Sequence, residues 1–185
     1  MKFNLSSLLV LSLLFLFTSC SDDDDSNNSS PTETGGHGGS ASFTVSGELE
    51  KEHTGIADFR AFEMSGIHTW DINILDQNPI TFNLSFAQTG GEPIDAPGVG
   101  TYQLGISQDD DIYLTSYSHY EDSPFQGEDY IVGIDGTSGA LEINTSTDDL
   151  IEGTFSFTAV RLDDEGQVAG NITVSDGEFS AVPRP

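Results

Sequence analysis

From Ala41 to the C-terminus, short runs in which apolar and polar residues alternate recur again and again, and this pattern constrains the fold most. A period of two puts every second side chain on one face of an extended chain, so such runs read as half-buried strands. Phe43, Val45 and Leu49 alternate with Ser42, Thr44, Ser46 and Glu48, and Trp70, Ile72 and Ile74 with Asp71 and Asn73. Ile80, Phe82, Leu84 and Phe86 alternate with Thr81, Asn83 and Ser85. Later runs are carried by Thr101–Leu104, Ile112/Leu114, Tyr130/Val132/Ile134, Leu141/Ile143, Phe155/Phe157/Ala159, Val168/Ile172/Val174 and Phe179/Ala181. Between them falls turn chemistry: Ser65-Gly66, Asp76-Gln77-Asn78-Pro79, Asp135-Gly136, Asp163-Asp164-Glu165-Gly166 and Asp176-Gly177. No run holds a helical period. The pattern predicts an all-β domain, an antiparallel sandwich or barrel of roughly 9–11 short strands. Both architectures fit it equally.

The segment Thr89–Gly100 interrupts the alternation with three glycines before Gly100 and two prolines. A loop of that length is either functional or a crossover between sheet regions. Ala41–Pro185 is long enough for one core, because domains near this size bury about 68–70% of their unfolded surface. One β domain over 41–185 is therefore expected.

Ahead of it the chain changes character. Lys2 is followed by the apolar run Leu8–Phe17, the small pair Thr18-Ser19 and then Cys20, the chain's single cysteine. A charged start, an apolar stretch and small residues before a cut describe a secretory signal. A transmembrane helix is the competing reading, but Leu8–Phe17 falls well short of the ~20 residues needed to span a bilayer. Residues 1–19 are read as a signal peptide cleaved before Cys20, whose sulfur is acylated as in bacterial lipoproteins, so the membrane is reached through a lipid anchor. With that cysteine used, no disulfide or thiol chemistry remains, and the domain depends on its own core. Residues 20–40 supply no large apolar side chain and read as a disordered tether. Twenty such residues reach roughly 25 Å.

Two resemblances follow from these residues. Ser21, Asp22, Asp23, Asp24 and Asp25, directly behind Cys20, resemble the acidic export signal of Bacteroidetes lipoproteins. That resemblance implies an outer-membrane location facing the cell exterior. The stretches Ile151–Ala159, with the sequence IEGTFSFTA, and Ile172–Ala181, with the sequence ITVSDGEFSA, resemble the ending of a family of small, uncharacterised Bacteroidetes surface lipoproteins. They are strand and turn residues, so they imply a β fold and a location but no activity.

The charge narrows the partners. There are 31 acidic against 5 basic side chains, a net charge of −26. Phosphate backbones would be repelled, which excludes nucleic acid as a partner. A solvated acidic shell without a specific ligand accounts for the same composition.

Catalytic signatures are missing. Serine hydrolysis requires an activated serine with a histidine base. Gly-x-Ser-x-Gly is absent, and His53, His68 and His119 lie in unrelated sequence contexts. Carboxylate pairs suited to glycoside hydrolysis arise by chance in so acidic a chain. Zinc requires clustered His or Cys, and the histidines are scattered. Calcium takes oxygen ligands from loops. Among Asp109-Asp110-Asp111, Asp148-Asp149 and Asp163-Asp164-Glu165, Asp109 and Asp111 form the best candidate pair for Ca2+; no other cofactor is indicated.

Aromatic residues give the remaining lead. Tyr113, Tyr117, Tyr120 and Phe125 crowd one segment. If Ile112 and Leu114 point inward, Tyr113 and Tyr117 project outward beside His119, Glu121 and Asp122, where rings flanked by carboxylates can hold a glycan. The opposite reading buries the tyrosines. The functional expectation is a non-enzymatic surface lipoprotein that acts as a binding or accessory module, with glycan capture through this segment. The alternatives are a subunit docked on an outer-membrane protein, and a lipocalin-like barrel carrying an apolar ligand.

Overall fold

Most of the alternating runs become strands, although Val132 and Ile134 fall in bends past the end of theirs. The structure, a computed structural model, describes residues 38–76, 80–90, 96–105, 112–121 and 127–184, apart from the side chains of Met64 and Ile112. The expected signal peptide, Cys20 and the tether as far as residue 37 lie outside the described residues; at the tether's expected end, Ser40 already opens the first strand and the Gly39 N–H donates to the Ala57 carbonyl at 3.0 Å. Ten strands are present among the described residues: β1 (Ser40–Gly47), β2 (Lys51–Met64), β3 (Ile67–Leu75), β4 (Phe82–Thr89) and β5 (Gly100–Leu104), then β6 (Ile112–Tyr120), β7 (Gly127–Ile131), β8 (Gly139–Ser146), β9 (Ile151–Leu162) and β10 (Val168–Pro183).

These strands form one sheet that closes on itself. The order is β1-β10-β2-β3-β4-β6-β7-β9-β8-β5, with further pairings β1–β2 and β10–β9. β10 runs antiparallel to β9 along most of its length and antiparallel to β1 from Ile172 to Ser180. Beyond the start of β1 it meets β2 in parallel, at Val182↔Asp58 and Pro183↔Phe59. The ring thus runs β1–β2–β3–β4–β6–β7–β9–β10 and back to β1. β8 and β5 extend from the first half of β9, and a bridge between Gly105 and Tyr113 ties the end of β5 to β6. Because β5 pairs with β8 and not with β4, the Thr89–Gly100 segment acts as the crossover.

Turn chemistry works as expected at the β2–β3 hairpin and in the β7–β8 connection. Ser65-Gly66 (φ 56° and 79°) and Asp135-Gly136 (φ 53° and 79°) both take left-handed backbone angles. Asp76 closes the β3–β4 connection, its Oδ1 accepting the Thr81 N–H at 2.7 Å and the Phe82 N–H at 3.3 Å. Asp163 holds the β9–β10 turn by accepting the N–H groups of Glu165 (3.0 Å) and Gln167 (2.8 Å).

Two readings of the chain need correction. Asp176-Gly177 is no turn but a bulge inside a continuous β10, where the register with β9 shifts between Val174 and Gly177. An extra residue in one strand bends it and sharpens its twist, and here that lets β10 curve around the ring. The second concerns β2, the 14-residue strand that no alternating run announced. Of its inward residues, His53, Gly55 and Ala57 are too small or too polar to make a hydrophobic period with Phe59.

The interior is aromatic. Phe43, Trp70, Phe82, Phe86, Tyr117, Tyr130, Phe155, Phe157 and Phe179 are all 5% exposed or less. Phe43 meets Phe82 edge-on at 5.3 Å, Phe86 meets Phe155 at 5.0 Å, and Phe155 meets Phe179 at 6.2 Å. Offset and edge contacts of this kind add about 0.5–1.5 kcal/mol per pair beyond buried area. Glycines make room for these rings. A Cβ on Gly153 would sit 2.9 Å from the Phe179 ring and closer still to the Glu142 carbonyl oxygen across the ladder.

Gly153→Ala is therefore expected to destabilise the ring by about 1–3 kcal/mol through overpacking. Urea denaturation followed by intrinsic fluorescence measures this; a midpoint equal to that of the parent chain would contradict the packing account.

Candidate functional site

Most of the interior is apolar, but one end is not. At the end that carries the β1–β2, β3–β4, β6–β7 and β9–β10 turns, the inward positions include, beside Val45, Ile74 and Phe82, four polar side chains: His53 on β2, Tyr117 and His119 on β6, and Tyr130 on β7. His53 and His119 are only 8% and 5% exposed. Strand pairing places Tyr117 opposite both Leu84 and Tyr130, and His119 opposite both Phe82 and Glu128. His53 Nε2 lies 2.9 Å from the Tyr117 hydroxyl. Its ring packs 4.9 Å from Phe43 and 4.2 Å from Phe82.

Burial sets the protonation of this cluster. It pulls the His53 pKa down to about 4, His119 and Lys51 push the same way, and Asp76 opposes them. Burial also raises the Tyr117 phenol far above its ordinary value. Tyr130 is pushed up to about 12, first by burial and then by its bond to Glu48. A phenol held protonated can donate to an imidazole held neutral. That is a stabilising hydrogen bond, and it offers no activated nucleophile.

A second polar group closes the rim beside it. Tyr130 donates its hydroxyl to Glu48 Oε2 at 3.0 Å, and Arg161 Nη2 donates to Glu48 Oε1 at 2.5 Å. Arg161 Nε stands 3.7 Å from Glu128 Oε1. The Arg161 bond is the main reason that the Glu48 pKa is lowered. The β1–β2 turn, β7 and β9 are clasped by these contacts. His119 differs: neither ring nitrogen has a hydrogen-bond partner, and the Glu121 carboxylate is 3.9 Å away.

The outer surface supplies a different kind of site. Register aligns Thr101, Glu142, Thr154, Glu178, Ser42 and Thr54 in one row across β5, β8, β9, β10, β1 and β2. Every one of the six is exposed. Glu142 and Glu178 stand two strands apart, about 9.5 Å, with the Thr154 hydroxyl between them. Shallow grooves lie along this face, among them two of similar volume. One, of about 480 Å³, is lined by Ser40, Ser42, Thr54, Glu152, Glu178 and Ser180 among others. The other, of about 470 Å³, is lined by Thr101, Glu142, Thr154, Ser156 and Glu178, together with the bulge at Asp176. Arg60, Arg161 and Arg184 are each paired elsewhere, with Asp71, Glu48 and Asp58, so none neutralises these carboxylates.

The expected aromatic platform is not formed as such. Tyr113 and Tyr117 share a face of β6, as the alternation requires, but it is the inner face. Tyr117 is fully buried, and Tyr113 is half-buried against the core, 5.5 Å from Tyr102. Leu114, expected inside, is 49% exposed. Pairing with β4 is the physical reason. The inward residues Phe82, Leu84 and Phe86 fall opposite His119, Tyr117 and Thr115, so β6 must turn those side chains in. Tyr120 is half-buried on the outer face, where its ring lies over Gly127. Phe125, Asp109 and Asp111 lie outside the described residues, as do Cys20 and Ser21, Asp22, Asp23, Asp24 and Asp25. Among the described residues, no group of three His, Cys, Asp or Glu side chains is placed to hold a metal ion.

The His53–Tyr117–His119 cluster was not visible in the sequence. Its members are 64 and 66 positions apart, and only ring closure joins them.

Fold and site together define an aromatic-cored ring of β-strands with a polar, clasped end and a hydroxyl-and-carboxylate outer face. Residues 79–183, from just before β4 to the end of β10, match the family described as Domain of unknown function (DUF6252). The chain belongs to that family. No curated protein and no solved structure matches it.

Removing the Tyr117 hydroxyl leaves His53 Nε2 buried without a partner, so Tyr117→Phe is expected to cost about 1–3 kcal/mol. Thermal denaturation at neutral pH would show it; an unchanged midpoint would mean that the 2.9 Å contact contributes nothing.

Proposed function

We propose that this chain is a non-enzymatic binding or accessory module, anchored through a lipid on Cys20 to the outer membrane and displayed outside the cell. The observation that carries the binding role is the exposed row Thr101–Glu142–Thr154–Glu178–Ser42–Thr54, set on a ring whose strands are already paired to one another. A rigid face of hydroxyls, which donate and accept, and carboxylates, which only accept, suits a ligand rich in donors. Neutral glycans and basic protein surfaces both meet that description; anionic partners do not.

Burial of Tyr117 moves the glycan reading away from the Tyr113–Phe125 segment and onto this outer face. There, sugar hydroxyls would be held by carboxylates and not by ring stacking. Docking on an outer-membrane protein is favoured by the uncompensated charge of Glu142, Glu152 and Glu178. A lipocalin-like role needs an open interior of roughly 300 Å³ or more, and the chain of ring contacts through the core weighs against it.

The test pairs a glycan array with recovery of partners from detergent-solubilised outer membranes. The double charge reversal Glu142→Lys/Glu178→Lys is expected to weaken capture by about tenfold or more, equivalent to ~1.4 kcal/mol, with no loss of thermal stability. Capture by neither route, or capture indifferent to the reversal, removes this reading. Anchoring is tested separately: labelled palmitate should enter the parent chain and fail to enter Cys20→Ser, which should leave the membrane fraction.

A further inference from the structure

We propose that the His53–His119 end of the ring is an acid-operated latch, which keeps the β1–β2 and β6–β7 hairpins closed near neutral pH and releases them in mild acid. The inference is independent of what the outer face binds.

Two histidines occupy inward positions at the same end, from strands on different sides of β3 and β4. His53 is wedged between the Phe43 and Phe82 rings and bonded to Tyr117. Phe43 belongs to β1 and offers no charge. Asp76, past the end of β3, is the acidic group that acts on His53. Its carboxylate already accepts bonds from the Thr81 and Phe82 N–H groups and from the Thr81 hydroxyl. Lys51 on β2 and His119 on β6 both disfavour a charged His53. Tyr117 and Tyr130, the titratable groups behind it on β6 and β7, stay protonated and neutral. A proton on His53 therefore meets burial and like charge with little to offset them.

His119 completes the device. Its ring is buried with both nitrogens unpartnered. Glu121 stands 3.9 Å away and is 77% exposed, and Glu128 lies opposite on β7 with its side chain 49% exposed. Turning outward would bring the unpartnered His119 nitrogens to these rim carboxylates. That movement would part β6 from the Phe82 side of the ring.

The direction of the pH effect separates this latch from ordinary acid denaturation. A chain of net charge −26 loses self-repulsion as pH falls toward its isoelectric point near 4.1, which favours the closed ring. The histidine effect has the opposite sign. His53 titrates near 6.5 when exposed and near 4 in the closed ring. An open form therefore binds more protons between those values, and closure weakens as pH drops through that window. For this one histidine the open form gains roughly 30-fold at about pH 5 relative to about pH 7.5.

Hydrogen–deuterium exchange on the purified protein tests the latch, after correction for intrinsic exchange rates. From about pH 7.5 to about pH 5, residues 43–53 and 115–120 are expected to exchange roughly 30-fold faster. Residues 139–157, on β8 and β9, should keep their protection. H53F, whose ring preserves the contacts with Phe43 and Phe82, should abolish the response, and H119Q should reduce it. If H53F does not fold, imidazole NMR titration of the parent protein decides: a His53 midpoint near 4 upholds the latch and one near 6.5 overturns it. Equal acceleration in parent and H119Q, uniform loosening of the whole ring, or no acceleration at all would also overturn it.

Discussion

Ring closure rests on β10. This strand is hydrogen-bonded to β9 on one edge and to β1, then β2, on the other, so it is the seam where the two ends of the sheet meet. A straight strand of 16 residues would not follow so tight a ring. The bulge at Ser175–Gly177, with Asp176 in the left-handed region at φ 53°, supplies the bend. Gly177 serves the seam as well, because a side chain there would enter the Phe155 ring. Closure leaves few strand edges open to other chains, a hazard that open sheets must manage by other devices.

Once the ring is closed, the interior must be filled and its ends sealed, and the chain seals them differently. At the end bearing the β2–β3 turn, Trp70 donates to Gln88 at 2.6 Å and packs edge-on against Tyr102. At the other end, hydroxyl and imidazole groups replace hydrocarbon, and the Glu48–Arg161–Tyr130 contacts clasp the rim. A buried polar group is costly when unpaired and rigidifying when paired. His119 and Thr115 belong to the first kind, while His53, Tyr117 and Tyr130 belong to the second. Both of these unpaired residues lie on β6, the strand whose facing is hardest to read from sequence.

Much of the fold was legible because half-buried strands write their facing into the sequence. Phe43/Val45, Trp70/Ile72/Ile74 and Phe155/Phe157/Ala159 point inward as their alternation implies. The failures share one cause. β2 escaped notice because His53, Gly55 and Ala57 fill space beneath large rings from other strands, so their inward role depends on partners remote in sequence. β6 reads either way, because Ile112 and Leu114 compete with Tyr113 and Tyr117 for the inner face. Facing is settled over the whole strand by its pairing with β4, and Thr115 and His119 follow the tyrosines inward. Asp176-Gly177 read as a turn because the dipeptide suits a left-handed backbone; whether such a backbone ends a strand or bends it depends on the neighbouring strands.

By itself the sequence determined the fold class, the location of most strands and the acidic character of the chain, since each follows from local periodicity, turn chemistry or a count of charges. The charged, apolar and acidic runs ahead of Ala41 are likewise local features of the chain. Only the tertiary structure decided that the sheet closes, which face of β6 turns inward, and that His53, Tyr117 and His119 share one buried end. Those outcomes depend on hydrogen-bonded register between strands dozens of residues apart, and no local window of the chain contains that information.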